Sequence, residues 1–128
     1  MAYCIFQDAQ KILLVEDTTV SGGEAIYRPV GGKVAFGEYS WESIRRQIKQ
    51  VLGKEIKDLS FLAGPSEVVT ELGEEVRHEI VFMFKGTLKE GEEPRPTKGD
   101  SPKLIWKSIK ELKRDKLTLY PEDLLELL

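Results

Sequence analysis

The chain has 128 residues, enough for one domain that buries its core between two or three layers and too few for a second. Nineteen basic side chains against 22 acidic ones leave a net charge of −3, so bulk electrostatics give no reason to expect a nucleic-acid polymer or a membrane surface as partner. A single cysteine excludes an internal disulfide, and with no leader pattern and no apolar run of about 18 residues a cytoplasmic protein is expected.

Residues 2 to 8 (AYCIFQD) and 11 to 16 (KILLVE) are apolar runs parted by Ala9-Gln10, which predicts a hairpin of central strands with Cys4 as a small buried hydrophobe. Residues 18 to 26 are rich in Thr, Ser and Gly and predict a loop. Tyr27-Arg28-Pro29-Val30 then leads into the stretch that organises the chain, GGKVAFGEYSWESIRRQIKQVLG, from Gly31 to Gly53. It joins a glycine-rich loop, whose backbone N–H groups can approach a ligand closely, to an amphipathic helix. Ser40 is the expected N-cap. Trp41, Ile44, Ile48, Val51 and Leu52 share the predicted core-facing stripe, which stops at Gly53.

Beyond the helix, residues 56 to 62 and 67 to 72 read as two strands broken at Ala63-Gly64-Pro65, and Gly73-Glu74-Glu75 reads as a turn. Residues 76 to 88 (VRHEIVFMFKGTL) carry the strongest strand signal. A hairpin across that turn puts Glu67 and Glu79 in a sheet adjoining the helix. His78, the only histidine, is expected to be structural or exposed rather than an acid/base group. From Lys89 to Lys103 the composition shifts to Pro, Gly and charge, a loop within the domain, since apolar sequence resumes at Leu104-Ile105-Trp106. Ser108 to Leu112 predicts a short helical turn. Tyr120-Pro121-Glu122-Asp123 opens a predicted terminal helix whose apolar LLELL either closes over the sheet or meets a second copy as a homodimer.

Counted from Gly32, the organising stretch resembles a Nudix box: Gly, five residues, Glu, seven residues, then Arg-Glu-hydrophobic-any-Glu-Glu-any-Gly-hydrophobic. Glu38, Arg46, Ile48 and Gly53 keep register. Gln47, Gln50 and Val51 stand at the three remaining acidic positions, the family's metal-ligand positions, and Lys54 at the closing hydrophobic one. The resemblance covers nearly the whole chain. It implies an α/β (α+β) Nudix fold, a mixed β-sheet sandwiched between α-helices, in a single domain over 1–128. It also implies catalytic roles for Glu38 and Arg46, with Glu38 the remaining metal ligand of the box and Mg²⁺ or Mn²⁺ the cofactor if the chain is active. Arg28, Gly31, Gly32, Lys33, Glu67 and Glu79 are the implied contacts of a nucleotide-like small molecule, although Arg28 and Lys33 read equally well as solvated surface cations.

On a helix turning about 100° per residue, positions 47, 50 and 51 share a flank. Mg²⁺ seeks anionic oxygens in octahedral array, whereas two amides offer neutral carbonyls and an isopropyl group offers nothing. Any metal site is therefore expected to be weak, to lean on the nucleotide's own phosphates, or to borrow acids from Glu42, Glu67, Glu79 or the loop residues Glu92, Glu93 and Asp100. Three functions follow: weakened hydrolysis of nucleoside diphosphate derivatives, nucleotide binding or sensing without turnover, and a protein-interaction module.

Overall fold

A computed structural model describes residues 1–18, 25–72, 74–88 and 103–128; the predicted loops, with Glu92, Glu93 and Asp100, fall largely outside these. The hairpin of β1 (Ala2–Asp8) and β2 (Lys11–Asp17) is the hinge of the sheet. Its two strands pair only beside their turn, Gln7 with Ile12 and Asp8 with Lys11, and then diverge to find separate partners. β1 runs parallel to β6 (Glu75–Leu88), Ala2 facing Phe82 through Phe6 facing Gly86, and antiparallel to β4 (Val30–Gly32). β2 pairs antiparallel with β7 (Lys103–Ser108) and with β3 (Ile26–Arg28). The result is a mixed seven-stranded sheet in two wings. Each central strand is apolar on both faces, as a strand covered from both sides must be.

One face carries Ala2, Cys4, Phe6, Leu13 and Val15 and is covered by Ile44, Ile48 and Leu52 of α1 (Ser40–Leu52). The other carries Tyr3, Ile5, Ile12 and Leu14, covered by Leu112 of α2 (Ile109–Arg114) and by Leu119, Tyr120 and Leu124. The sandwich expected from the resemblance is therefore present. Burial pushes the Cys4 thiol up to about 12, in keeping with a packing role.

Four sequence expectations change. Residues 56 to 72 form one long strand, β5 (Ile56–Leu72), paired with β6 throughout, and the predicted break at residues 63 to 65 is an irregularity in its register. A bulge absorbs the extra residues without ending the pairing. The terminal segment is a 3₁₀ turn, Leu124–Leu127, in place of an α-helix, because its bonds span three residues: Leu124 N–H to Pro121 O and Glu126 N–H to Asp123 O. It closes over the sheet through Leu124. Trp41 is not in the core stripe; it is exposed and stacked on Tyr39, with ring centroids 6.2 Å apart. Finally, Ser40 is the first helical residue and Tyr39 the N-cap, its backbone N–H donating to Glu42 Oε1 at 2.9 Å. Among the described residues no helix is long and apolar enough to cross a membrane.

Candidate functional site

The loop from Gly31 to Glu38 lies against the amino-terminal half of α1, held there through one backbone oxygen. The carbonyl of Lys33 accepts from Ser43 Oγ at 3.3 Å, from Arg46 at 3.2 Å and from Gln47 Nε2 at 3.2 Å. Gln47 is buried and also donates to Ser43 Oγ at 2.8 Å. Gly32 sits so close that a Cβ there would stand 2.6 Å from Gln47 Oε1, so any side chain there would push the Gln47 amide aside.

Glu38 is the second anchor. Its Oε1 accepts from the Ala35 backbone N–H at 2.8 Å and from Arg46 at 2.7 Å, while Oε2 accepts from Arg46 Nε at 3.2 Å. This two-pronged guanidinium pairing, aided by the Ala35 amide, holds the Glu38 carboxyl down at about 2. Arg46 also reaches Gln50 Oε1 at 3.4 Å. Val51 packs its alkyl group against the core beneath α1.

Arg28 is half-buried and turned inward, toward Asp17 at 3.9 Å and the carbonyls of Pro29 and Gly31 at 3.4 Å. It ties the loop's entry to β2. The Lys33 side chain is exposed. Glu67 and Glu79 part company, because Glu67 stands opposite Ile80 and Glu79 opposite Val68, which puts the two acids on opposite faces of the β5–β6 hairpin. Glu67 pairs with the exposed His78 at 2.7 Å. Glu79 accepts a hydrogen bond from Tyr120, whose ring lies 5.5 Å from the Arg77 guanidinium and 6.1 Å from the Tyr3 ring.

This tyrosine cluster is one that sequence reasoning missed. Tyr3 Oη is buried with no hydrogen-bond partner among the described residues, and burial next to Glu79 pushes its hydroxyl up to about 12. Tyr120 is shifted upward by burial first and then by the hydrogen bond it donates to Glu79. Ser43 was missed too, though its spacing of four from Gln47 on one helix face was a usable signal.

Which of these groups could hold a cation? Glu42 is occupied as a helix cap, Glu38 is clamped by Arg46, and Glu67 and Glu79 face away from each other. Among the described residues no group of three His, Cys, Asp or Glu side chains could hold a metal ion. The donor set does not fit Mg²⁺ or Mn²⁺, and no step of chemistry is derived through one.

Comparison with solved structures decides the fold. The chain superposes on a mutator MutT protein from Bacillus halodurans with TM-score 0.69 and 25% identity, covering 98% of this chain and 77% of that one. The fold is the Nudix fold. A Nudix hydrolase from Nitrosomonas europaea matches with TM-score 0.71 at 15% identity, covering 98% and 82%. A Nudix-family hydrolase from Clostridium perfringens matches with TM-score 0.61 at 18% identity, covering 98% and 90%. No protein-family model and no curated protein matches the sequence. Nudix architecture is thus kept at identities where side-chain chemistry is free to drift.

Proposed function

We propose that this chain is a Nudix-fold protein that binds a nucleotide-like diphosphate and whose hydrolytic chemistry is weak or lost. One observation carries the reading: the amide of Gln47 and the guanidinium of Arg46 both donate to the Lys33 carbonyl. A carboxylate at position 47 would set a negative oxygen against that carbonyl in place of a donor, a repulsion that a cation bound between them would relieve. The glutamine removes that repulsion, because its own N–H satisfies the oxygen. Gln50 and Val51 then contribute a neutral carbonyl and an alkyl group to the same flank.

The size of the effect supports weak turnover. Metal ions contribute several kcal/mol to phosphoryl-transfer transition states, and about 1.4 kcal/mol is tenfold in rate, so losing the clamp costs several orders of magnitude. Binding is supported by the exposed Lys33 side chain on the loop that Arg28 ties to β2.

The test is a panel of nucleoside diphosphate derivatives with Mg²⁺ or Mn²⁺, read for released phosphate products and for thermal shift. The expected result is a raised melting temperature for at least one derivative, reduced by Lys33→Ala, with turnover far below ordinary enzyme rates. Brisk cleavage overturns the loss of chemistry. A panel with neither shift nor turnover favours the interaction-module reading, for which the exposed Val69, Val76 and Ile80 of the β5–β6 hairpin offer an apolar face. Light scattering would then detect the homodimer that such a face could form.

A further inference from the structure

On the side of α1 away from Gln47 lies a cavity of about 530 Å³ lined by Arg45, Arg46, Lys49, Lys54, Glu55 and Ile56. Arg45 and Lys49 are each roughly 160° around the helix from Gln47, so this cavity meets the flank discussed above only through Arg46. We propose that it is an anion site for a phosphoanhydride group, a di- or triphosphate, either free or as the tail of a nucleotide.

The charge count is the first reason. In a chain of net charge −3, four cationic side chains converge here with a single carboxylate, Glu55. Arg46 is already neutralised by Glu38 at 2.7 Å and is set aside. Three cations remain against one acid, and Glu55 lies 3.5 Å from Lys49 in a pair with both partners more than half exposed, the kind that exchanges partners readily. Arg45 spends one N–H on the carbonyl of Ile56, another lining residue, at 3.3 Å, which leaves further donors on the fork.

The second reason is Lys54. The box pattern puts a hydrophobic residue directly after the closing glycine, yet this chain has a lysine there, and that lysine lines the cavity. Favourable placement of cations at a helix carboxyl terminus accounts for Lys49 in the last turn of α1. That pole amounts to roughly half a negative charge, too little to call for Arg45 and Lys54 as well. A linear phosphoanhydride, carrying two to four negative charges in a short span, matches several cations held apart around one hollow, and the volume is within the ~300–1,000 Å³ of small-molecule sites.

The test is a titration of the whole protein with inorganic pyrophosphate and tripolyphosphate at about 20 mM salt, followed by backbone amide NMR shifts and calorimetry. Saturable shifts centred on Lys49, Lys54, Glu55 and Ile56 are expected. The double substitution Lys49→Gln, Lys54→Gln should weaken the dissociation constant about tenfold, and Glu55→Gln should tighten it, a reversal that general damage to the fold cannot produce. A nucleoside triphosphate binding as tightly as tripolyphosphate identifies the anion alone as the ligand; tighter binding identifies the nucleotide. Shifts centred on Arg28 and Lys33, no saturable shift at all, or an affinity indifferent to all three substitutions would each overturn the proposal. Because Lys33→Ala is predicted to leave this site intact, failure here is distinguishable from failure of the proposed function.

Discussion

At the level of single residues, the chemistry of the loop turns on how Glu38 and Gln47 spend their hydrogen-bonding capacity. Glu38 gives both oxygens to Arg46 and the Ala35 amide, which holds its carboxyl at about 2 against an ordinary 4.5. A folded-state value below the unfolded one means that the charged form stabilises the fold above about 4.5, and that this contribution is lost as pH falls toward about 2. Thermal melts between pH 5 and pH 2 should therefore show a decline in wild type that Glu38→Gln flattens, at some cost in stability near neutral pH. Parallel curves for the two proteins would mean that the clamp exists only on paper. That Glu38 and Arg46 keep register was legible in the sequence. Their mutual engagement was not, because register says nothing of rotamers.

At the level of elements, the departures from expectation have physical causes that sequence patterns hide. Residues 63 to 65 contain a glycine and a proline between apolar runs, which is the usual punctuation between strands. Here the same residues bend one strand that stays paired on both sides, Phe61 with Phe84 and Ser66 with Val81. Gly64 has φ +115°, and a Cβ on it would stand 2.6 Å from the Val81 carbonyl. Gly64→Ala should accordingly destabilise the protein by about 1–3 kcal/mol, from the cost of a non-glycine backbone there and the displacement of Val81. Urea unfolding measures it. A change under about 0.5 kcal/mol would show that the bulge relaxes freely, and the long hairpin would then owe its register to side-chain pairs instead. The exposed pair of Trp41 and Tyr39 is a related case: helical spacing put Trp41 on the stripe, about 20° from Ile48, yet in the first turn of α1 its ring stacks on Tyr39 and stays exposed while Ile44, Ile48 and Leu52 reach the core.

At the level of the molecule, the order of most elements and the glycine-rich loop leading into α1 were readable from apolar periodicity and glycine placement. The partners of Arg28, Glu67 and Glu79 were not, since each depends on which face a long-range pairing presents. The sharpest consequence of the whole arrangement is the variant Gln47→Glu, Gln50→Glu, Val51→Glu. Without metal it should be less stable than wild type: position 47 exchanges an amide that donates to the Lys33 carbonyl and to Ser43 Oγ for a carboxylate on a buried site, and position 51 brings a charge to a half-buried one, together costing about 1–3 kcal/mol. With Mn²⁺ at a hundred times its dissociation constant, about 2.7 kcal/mol should return, because an ion that binds only the folded state stabilises it by mass action. Wild type, with amides on that flank, should melt at the same temperature with and without the ion. If the variant gains no Mn²⁺ affinity by calorimetry, then residues 47, 50 and 51 do not converge on a common point, and weak chemistry would need a cause other than the missing carboxylates. If wild type itself takes up Mn²⁺ with a matching rise in melting temperature, the amide of Gln47 is not the group that replaces the cation.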